Sequence, residues 1–146
     1  MKRERRRARG LALQALYEID SVGHPTEQVI ARHLDENAGL GDDAAEFLQR
    51  LVRGTLALGM AFDRLIASCA PAWPVEELAL VDRNILRMAL WELAVSDETP
   101  LKVAINEAVE LAKRYGSDSA PRFVNGVLGT LAEREDEIRR LLAPAH

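Results

Sequence analysis

Apolar residues recur at intervals of three and four along most of the chain, and two-residue alternation is nearly absent. That period predicts helices and no sheet. Ala8, Leu11, Ala12, Ala15, Leu16 and Ile19 mark the buried side of a first helix over residues 3–20, which ends before Gly23-His24-Pro25. Val29, Ile30, His33 and Leu34 mark a second over 26–36, closed by a glycine-containing loop. A third, long element opens at Asp42 or Asp43, either of which suits an N-cap. It carries Phe47, Leu48, Leu51, Val52, Leu56, Leu58, Phe62, Leu65, Ile66 and Cys69, with a bend near Gly59.

Pro71-Ala72-Trp73-Pro74 breaks the pattern near the midpoint, as consecutive prolines and their neighbours disfavour helix. It predicts one domain over 1–146 made of two subdomains, 1–70 and 75–146. Beyond it come a single turn at 76–79 and a strongly apolar helix at 81–95. A helix at 102–115 follows and ends at Gly116, a position suited to a left-handed cap. Ser119 and Pro121 mark the start of the next helix, and 133–142 form a charged amphipathic tail. The expected fold class is all-α, two packed small bundles of six or seven helices.

Composition narrows the function. The hydrophobic fraction of 48% is that of an ordinary globular protein, and no apolar run approaches the length of a membrane span. The basic N-terminus lacks the apolar stretch of a signal peptide, and one cysteine permits no internal disulfide. A cytoplasmic protein without a membrane partner is the expectation.

Charge changes the picture most. Residues 1–9 hold six of the 19 Lys and Arg and one of the 23 acids, a net +5. The remaining 13 basic residues face 22 acidic ones, a net −9. Concentrated positive charge on an anionic protein is a device for gripping a polyanion. At about 100° per residue, Arg3, Arg6, Arg7, Gly10, Gln14 and Tyr17 fall opposite the apolar stripe, with Lys2, Arg5 and Arg9 on a flank. Arginine binds phosphate bidentately, tyrosine stacks an unpaired base, and glutamine reads a base edge, so the face fits single-stranded RNA.

Signals for catalysis are weak. His24, His33 and His146 share no metal-ligand spacing, and no G-x-S-x-G, phosphate loop or H-E-x-x-H occurs. Cys69 reads as a buried small hydrophobe. No enzyme activity, cofactor or metal is expected. Asn106 reads as structural, and either Asn106 or Asn125 suits the satisfaction of backbone groups at a helix junction. Gly126 and Gly129 read as permitting close helix contact, while Arg122, Phe123 and Asn125, near a helix start, suit a phosphate-binding surface.

Four segments together resemble the NusB family of transcription antitermination factors. They are Arg5-Arg6-Arg7-Ala8-Arg9 with Ala12-Leu13-Gln14-Ala15-Leu16-Tyr17, then Val81-Asp82-Arg83-Asn84-Ile85-Leu86-Arg87-Met88-Ala89-Leu90-Trp91-Glu92-Leu93. Pro100 with Val103-Ala104-Ile105-Asn106-Glu107-Ala108-Val109-Glu110-Leu111-Ala112-Lys113 and Phe123-Val124-Asn125-Gly126-Val127-Leu128 complete the set. The resemblance implies a NusB-like pair of helical bundles and a non-enzymatic role. That role is binding single-stranded boxA RNA of ribosomal RNA leaders with the ribosomal protein NusE, within the RNA polymerase antitermination complex. It places RNA contacts at Arg5, Arg6, Arg9, Gln14, Tyr17, Arg122, Phe123 and Asn125, beside Lys2 and Arg7 of the same basic run. It places the NusE surface at Glu76, Glu77 and Asp82, where acidic groups would attract a basic protein. The chain departs from relatives at Ser117-Asp118-Ser119-Ala120-Pro121, and Trp91 stands where tyrosine is usual.

Two rivals remain. A related fold serves as the N-terminal domain of some ribosomal RNA methyltransferases, but 146 residues leave no room for a cofactor-binding domain. The alternative to the adaptor is a helical interaction module, a homodimer without autonomous RNA binding.

Overall fold

In a computed structural model that describes residues 2–69, 74–96 and 98–142, every regular element among the described residues is helical. The compact units divide between Ala57 and Leu58. The first holds α1 (Lys2–Val22), α2 (Thr26–Glu36) and α3 (Asp42–Ala57). The second holds α4 (Gly59–Cys69), a single 3-10 turn (Val75–Glu77), α5 (Leu80–Ala94), α6 (Leu101–Tyr115), α7 (Ala120–Ala132) and α8 (Glu135–Leu142). Of the Pro71–Pro74 break only Pro74 is described; residues 71–73 lie outside the described residues, as do Asp97 and His146.

In the first unit α1 packs on α2 and α3. Ala8, Ala12, Ala15 and Leu16 are fully buried with Phe47, Leu48, Leu51 and Val52 of α3. Small alanine side chains let the two helices approach closely, and each buried Leu or Phe contributes roughly 1.5–3 kcal/mol. The buried stripe of α1 is rotated from the expected one. Leu13 and Arg9 are buried, while Leu11 and Ile19 are half-buried. α1 stops at Gly23, whose φ of 80° is the left-handed conformation that L side chains resist, with its N–H donating to Ile19 O at 3.0 Å.

The long third element is two helices. α3 ends at Ala57 and α4 begins at Gly59, with Leu58 alone between them. That split, with the ordered α8, raises the count to eight α-helices among the described residues. In the second unit α5 packs against α4, α6, α7 and α8 and buries Ile85, Leu86, Met88, Leu90, Trp91 and Leu93. Asp63 of α4 receives the Arg87 guanidinium of α5 through two bonds, Nε to Oδ1 at 2.8 Å and Nη2 to Oδ2 at 2.6 Å.

Four expectations change here. Gly116 has φ −93° and ψ −178°, extended rather than left-handed backbone. It is needed for space: a Cβ there would lie 2.6 Å from Ala120 Cβ and 2.9 Å from Ala112 O. Gly126 and Gly129 are exposed, with nothing among the described residues within 4 Å of an added Cβ, so they do not mediate contact between the described helices. Cys69 is half-buried at the end of α4 rather than in the core, and Asn106 and Asn125 are exposed rather than enclosed at a junction.

Candidate nucleic-acid interface

The basic run is helical from Lys2 onward, so backbone geometry and not a flexible tail sets the spacing of its cations. Lys2, Arg3, Arg6 and Arg7 are exposed, as are Gln14 and Tyr17 further along α1. Tyr17 leaves 46% of its surface open, enough for a planar ligand to stack on it. Its neighbourhood is ordered: Ser21 Oγ donates to Tyr17 O at 2.6 Å.

Arg5 and Arg9 differ from the others. Arg5 is half-buried and donates to Asp43 of α3 twice, Nε to Oδ2 at 2.9 Å and Nη2 to Oδ1 at 3.0 Å. Its guanidinium carbon lies 4.5 Å from the centre of the Phe47 ring. Arg9, expected on an accessible flank, is only 4% exposed and lies 5.2 Å from the same ring centre. The aliphatic stem of an arginine is compatible with such a site, because the ring face attracts the guanidinium. Gly10, expected on the open face, is also buried.

Further contacts tie the face to the α2–α3 connection. Arg7 Nη2 donates to Asn37 Oδ1 at 2.8 Å, and Asn37 Nδ2 donates to His33 O at 2.8 Å. Glu4, the one acid in the run, accepts the Gly41 N–H at 3.2 Å. The Arg5 hydrogen bonds hold the Asp43 carboxyl below the usual carboxylate range, so it is ionised at neutral pH. Its first-turn position in α3 suits that charge, although its carboxylate serves Arg5. At the other end of α1, Glu18 binds Arg32 and His24 of the neighbouring segment, and these contacts lower its carboxyl to about 2. Cations thus crowd the N-terminal half of α1, and its last turn has none.

The remaining expected RNA contacts lie in the second unit, on α7. Pro121 sits in the first turn of that helix and not in a loop. Arg122 and Asn125 are exposed and Phe123 is half-buried, with its N–H donating to Ser119 O at 3.1 Å. Arg122, Asn125, Gly126 and Gly129 share one solvent-facing stripe at helical spacing. The two glycines keep that stripe shallow, whereas their sequence context suggests packing.

The acidic residues are also in the second unit. Glu76 and Glu77 are exposed on the 3-10 turn, and Arg83 Nη2 ties that turn to α5 by donating to Glu76 O at 3.1 Å. Asp82 is half-buried in the first turn of α5; burial pushes its carboxyl above the ordinary range, and Oδ1, itself buried, has no hydrogen-bond partner among the described residues. Sequence reasoning missed Asp43, Asn37 and the second role of Phe47. Phe47 carried only a core signal, and the surface contacts of Asp43 and Asn37 are 38 and 30 residues away in sequence.

Comparison with known proteins adds to this geometry. A family model described as the NusB family matches residues 6–133. The transcription antitermination protein NusB of Roseiflexus sp. (strain RS-1) is 51% identical over 138 residues, 93% of this chain and 96% of the relative. The protein of that description from Chloroflexus aggregans is 49% identical over 139 residues, 90% of this chain and 92% of the relative. Among solved structures, T. maritima NusB superposes with a TM-score of 0.81 at 34% identity, covering 91% of this chain and 96% of that one. A crystal structure of antitermination factors NusB and NusE in complex with dsRNA gives 0.82 at 28% identity, covering 92% and 99%.

Proposed function

Because the chain belongs to the NusB family, we propose that it is a transcription antitermination factor that binds boxA-type RNA of ribosomal RNA leaders. In this role it acts with NusE and joins the RNA polymerase antitermination complex. The role is one of binding rather than catalysis, exercised in the cytoplasm, where transcription proceeds.

The observation that carries the reading is the outer face of α1. Lys2, Arg6, Arg7, Gln14 and Tyr17 are exposed along one helix of a chain whose other residues are net acidic. Cations neutralise backbone phosphates, and an exposed phenol stacks on a base only where that base is unpaired. This favours a single strand over a duplex as the ligand. Arg9 supports the face from beneath by packing on Phe47. On the second unit Arg122, Phe123 and Asn125 are further RNA contacts, with Gly126 and Gly129 leaving room for a backbone beside them. Glu76, Glu77 and Asp82 are the surface for NusE, whose basic groups the two exposed glutamates would attract. Any coupling between the two ligands would be reciprocal, each changing the other's affinity by the same factor.

Reversal of Lys2 and Arg6 to Glu tests the assignment. In a filter or gel-shift assay with a boxA-like single strand, affinity should drop at least about tenfold, and the log–log salt slope should flatten by about 0.7 for each phosphate left without its cation. Unchanged affinity would overturn the RNA face. Arg9 is left out, because burying a glutamate there would test folding instead. Light scattering on the same samples separates the adaptor from a homodimeric interaction module, which would change mass without needing RNA.

A further inference from the structure

We propose that Asp43 is an internal stand-in for an RNA phosphate. Its carboxylate occupies the Arg5 guanidinium in the free protein and is exchanged for a backbone phosphate when RNA binds. The inference rests on the reading of α1 as the RNA face.

The geometry is that of phosphate recognition. Arg5 presents Nε and Nη2 to the two oxygens of one carboxylate at 2.9 and 3.0 Å. The same fork grips two non-bridging oxygens of a phosphodiester. A lysine ammonium would hold either anion as a point charge and impose no such match.

The pair is also placed for exchange. The side chains of Arg5 and Asp43 are 19% and 40% exposed, so an incoming anion can reach the carboxylate edge. The Phe47 ring remains under the guanidinium whichever anion it holds, at 4.5 Å from its centre, and so fixes the plane of the fork. Arg9 lies over the same ring, so two cations share it and an anion on one of them relieves their repulsion. Asp43 itself sits in the first turn of α3, where backbone N–H groups stabilise a carboxylate that has lost its arginine.

Exchange has a functional consequence. While paired, Arg5 and Asp43 are together neutral, and the +5 of the N-terminal run overstates the pull on a distant polyanion. Arg5 contributes only after contact, when a phosphate is close enough to compete with a carboxylate already in place. The pair therefore discriminates against small anions in bulk solution and in favour of a phosphate delivered by a strand that neighbouring residues already hold.

Salt-dependent binding of a boxA-like RNA to the full chain, measured for wild type, D43N, R5A and the double variant, tests the proposal. Asparagine keeps the shape of Asp43 and removes its charge. D43N should bind about fivefold more tightly, the upper range of an exposed ion pair. Its salt slope should equal the wild-type slope, because the same phosphate count is neutralised in both. R5A should bind more weakly, and D43N should have no effect in the R5A background.

Four results would overturn the proposal. D43N could bind equally or more weakly, which would make Asp43 a scaffold for Arg5. Its slope could steepen by about 0.7, which would mean that Arg5 meets no phosphate in the wild type. D43N could gain affinity in the R5A background too, an effect of general charge. Absence of RNA binding by the wild-type chain would remove the functional reading together with this one. Circular dichroism melts of each variant establish that the helices are retained.

Discussion

Substitution of Phe47 by leucine separates two roles that one ring performs. Phe47 is fully buried in α3, and it also lies within cation–π range of both Arg5 and Arg9. Leucine retains much of the apolar volume, and such swaps cost about 1–1.5 kcal/mol in packing. Loss of the ring face adds about 0.5–1 kcal/mol for each guanidinium. F47L should therefore lower stability by about 2–3.5 kcal/mol. Phe62 of α4 is the control, being fully buried and belonging to the other unit. F62L should cost only the packing share, about 1–1.5 kcal/mol. Urea melts followed by circular dichroism give both values. Equal costs within about 0.5 kcal/mol would refute the claim that the guanidiniums draw stability from the ring. RNA affinity provides a second reading: F47L should weaken it by releasing the plane of Arg5, and F62L should leave it unchanged.

Two further outcomes follow from the same packing. Gly116→Ala ordinarily helps a chain by restricting its unfolded state; here the new Cβ meets Ala120 and Ala112, so a Tm drop of several degrees is expected, and a rise would show that the α6–α7 junction relaxes freely. Burial pushes the His33 imidazole below its ordinary 6.5, so on acidification the unfolded chain takes the proton first. Its contribution is complete above about 6.5 and is lost as pH falls through the lower folded value; Glu18, lowered to about 2 from 4.5, loses its own contribution only between those values. A Tm series from pH 8 to 5 should decline below pH 6.5 in the wild type and be flatter in His33→Gln, and identical slopes would remove His33 as the cause.

Most helix boundaries were legible because the chain is well punctuated. α2 was expected at 26–36 and is Thr26–Glu36, framed by Pro25 and the Asn37–Gly41 loop; α7 opens where Ser119 and Pro121 mark it. The break at Leu58 was legible as a bend near Gly59 but not as the end of one helix and the start of another, because Phe62, Leu65 and Ile66 continue the apolar period of α3 and one glycine does not forbid helix. The site was readable as charge but not as geometry. Six cations announce a polyanion, yet nothing local shows that Arg5 meets Asp43. A signal for Arg9 did exist. It falls in one stripe with Arg5, Ala12, Leu13 and Leu16, and the assumption that arginine faces water hid it. Gly116, Gly126 and Gly129 were misread because a glycine reports a need for freedom or space without saying which.

The charges of α1 run against its own backbone dipole. Its N-terminal end, where partial positive charge accumulates, bears Lys2, Arg3, Arg5, Arg6, Arg7 and Arg9, and its last turn has no cation to offset the partial negative charge there. Such a helix is electrostatically frustrated when alone and is relieved by a polyanion laid along its first turns. Binding and folding are then linked in one measurable quantity: a nucleic-acid ligand should raise the melting temperature as its concentration passes its Kd. Added salt, by screening the same repulsion, should stabilise the free protein while it weakens the complex. The basic helix is thus a ligand site whose own stability registers occupancy.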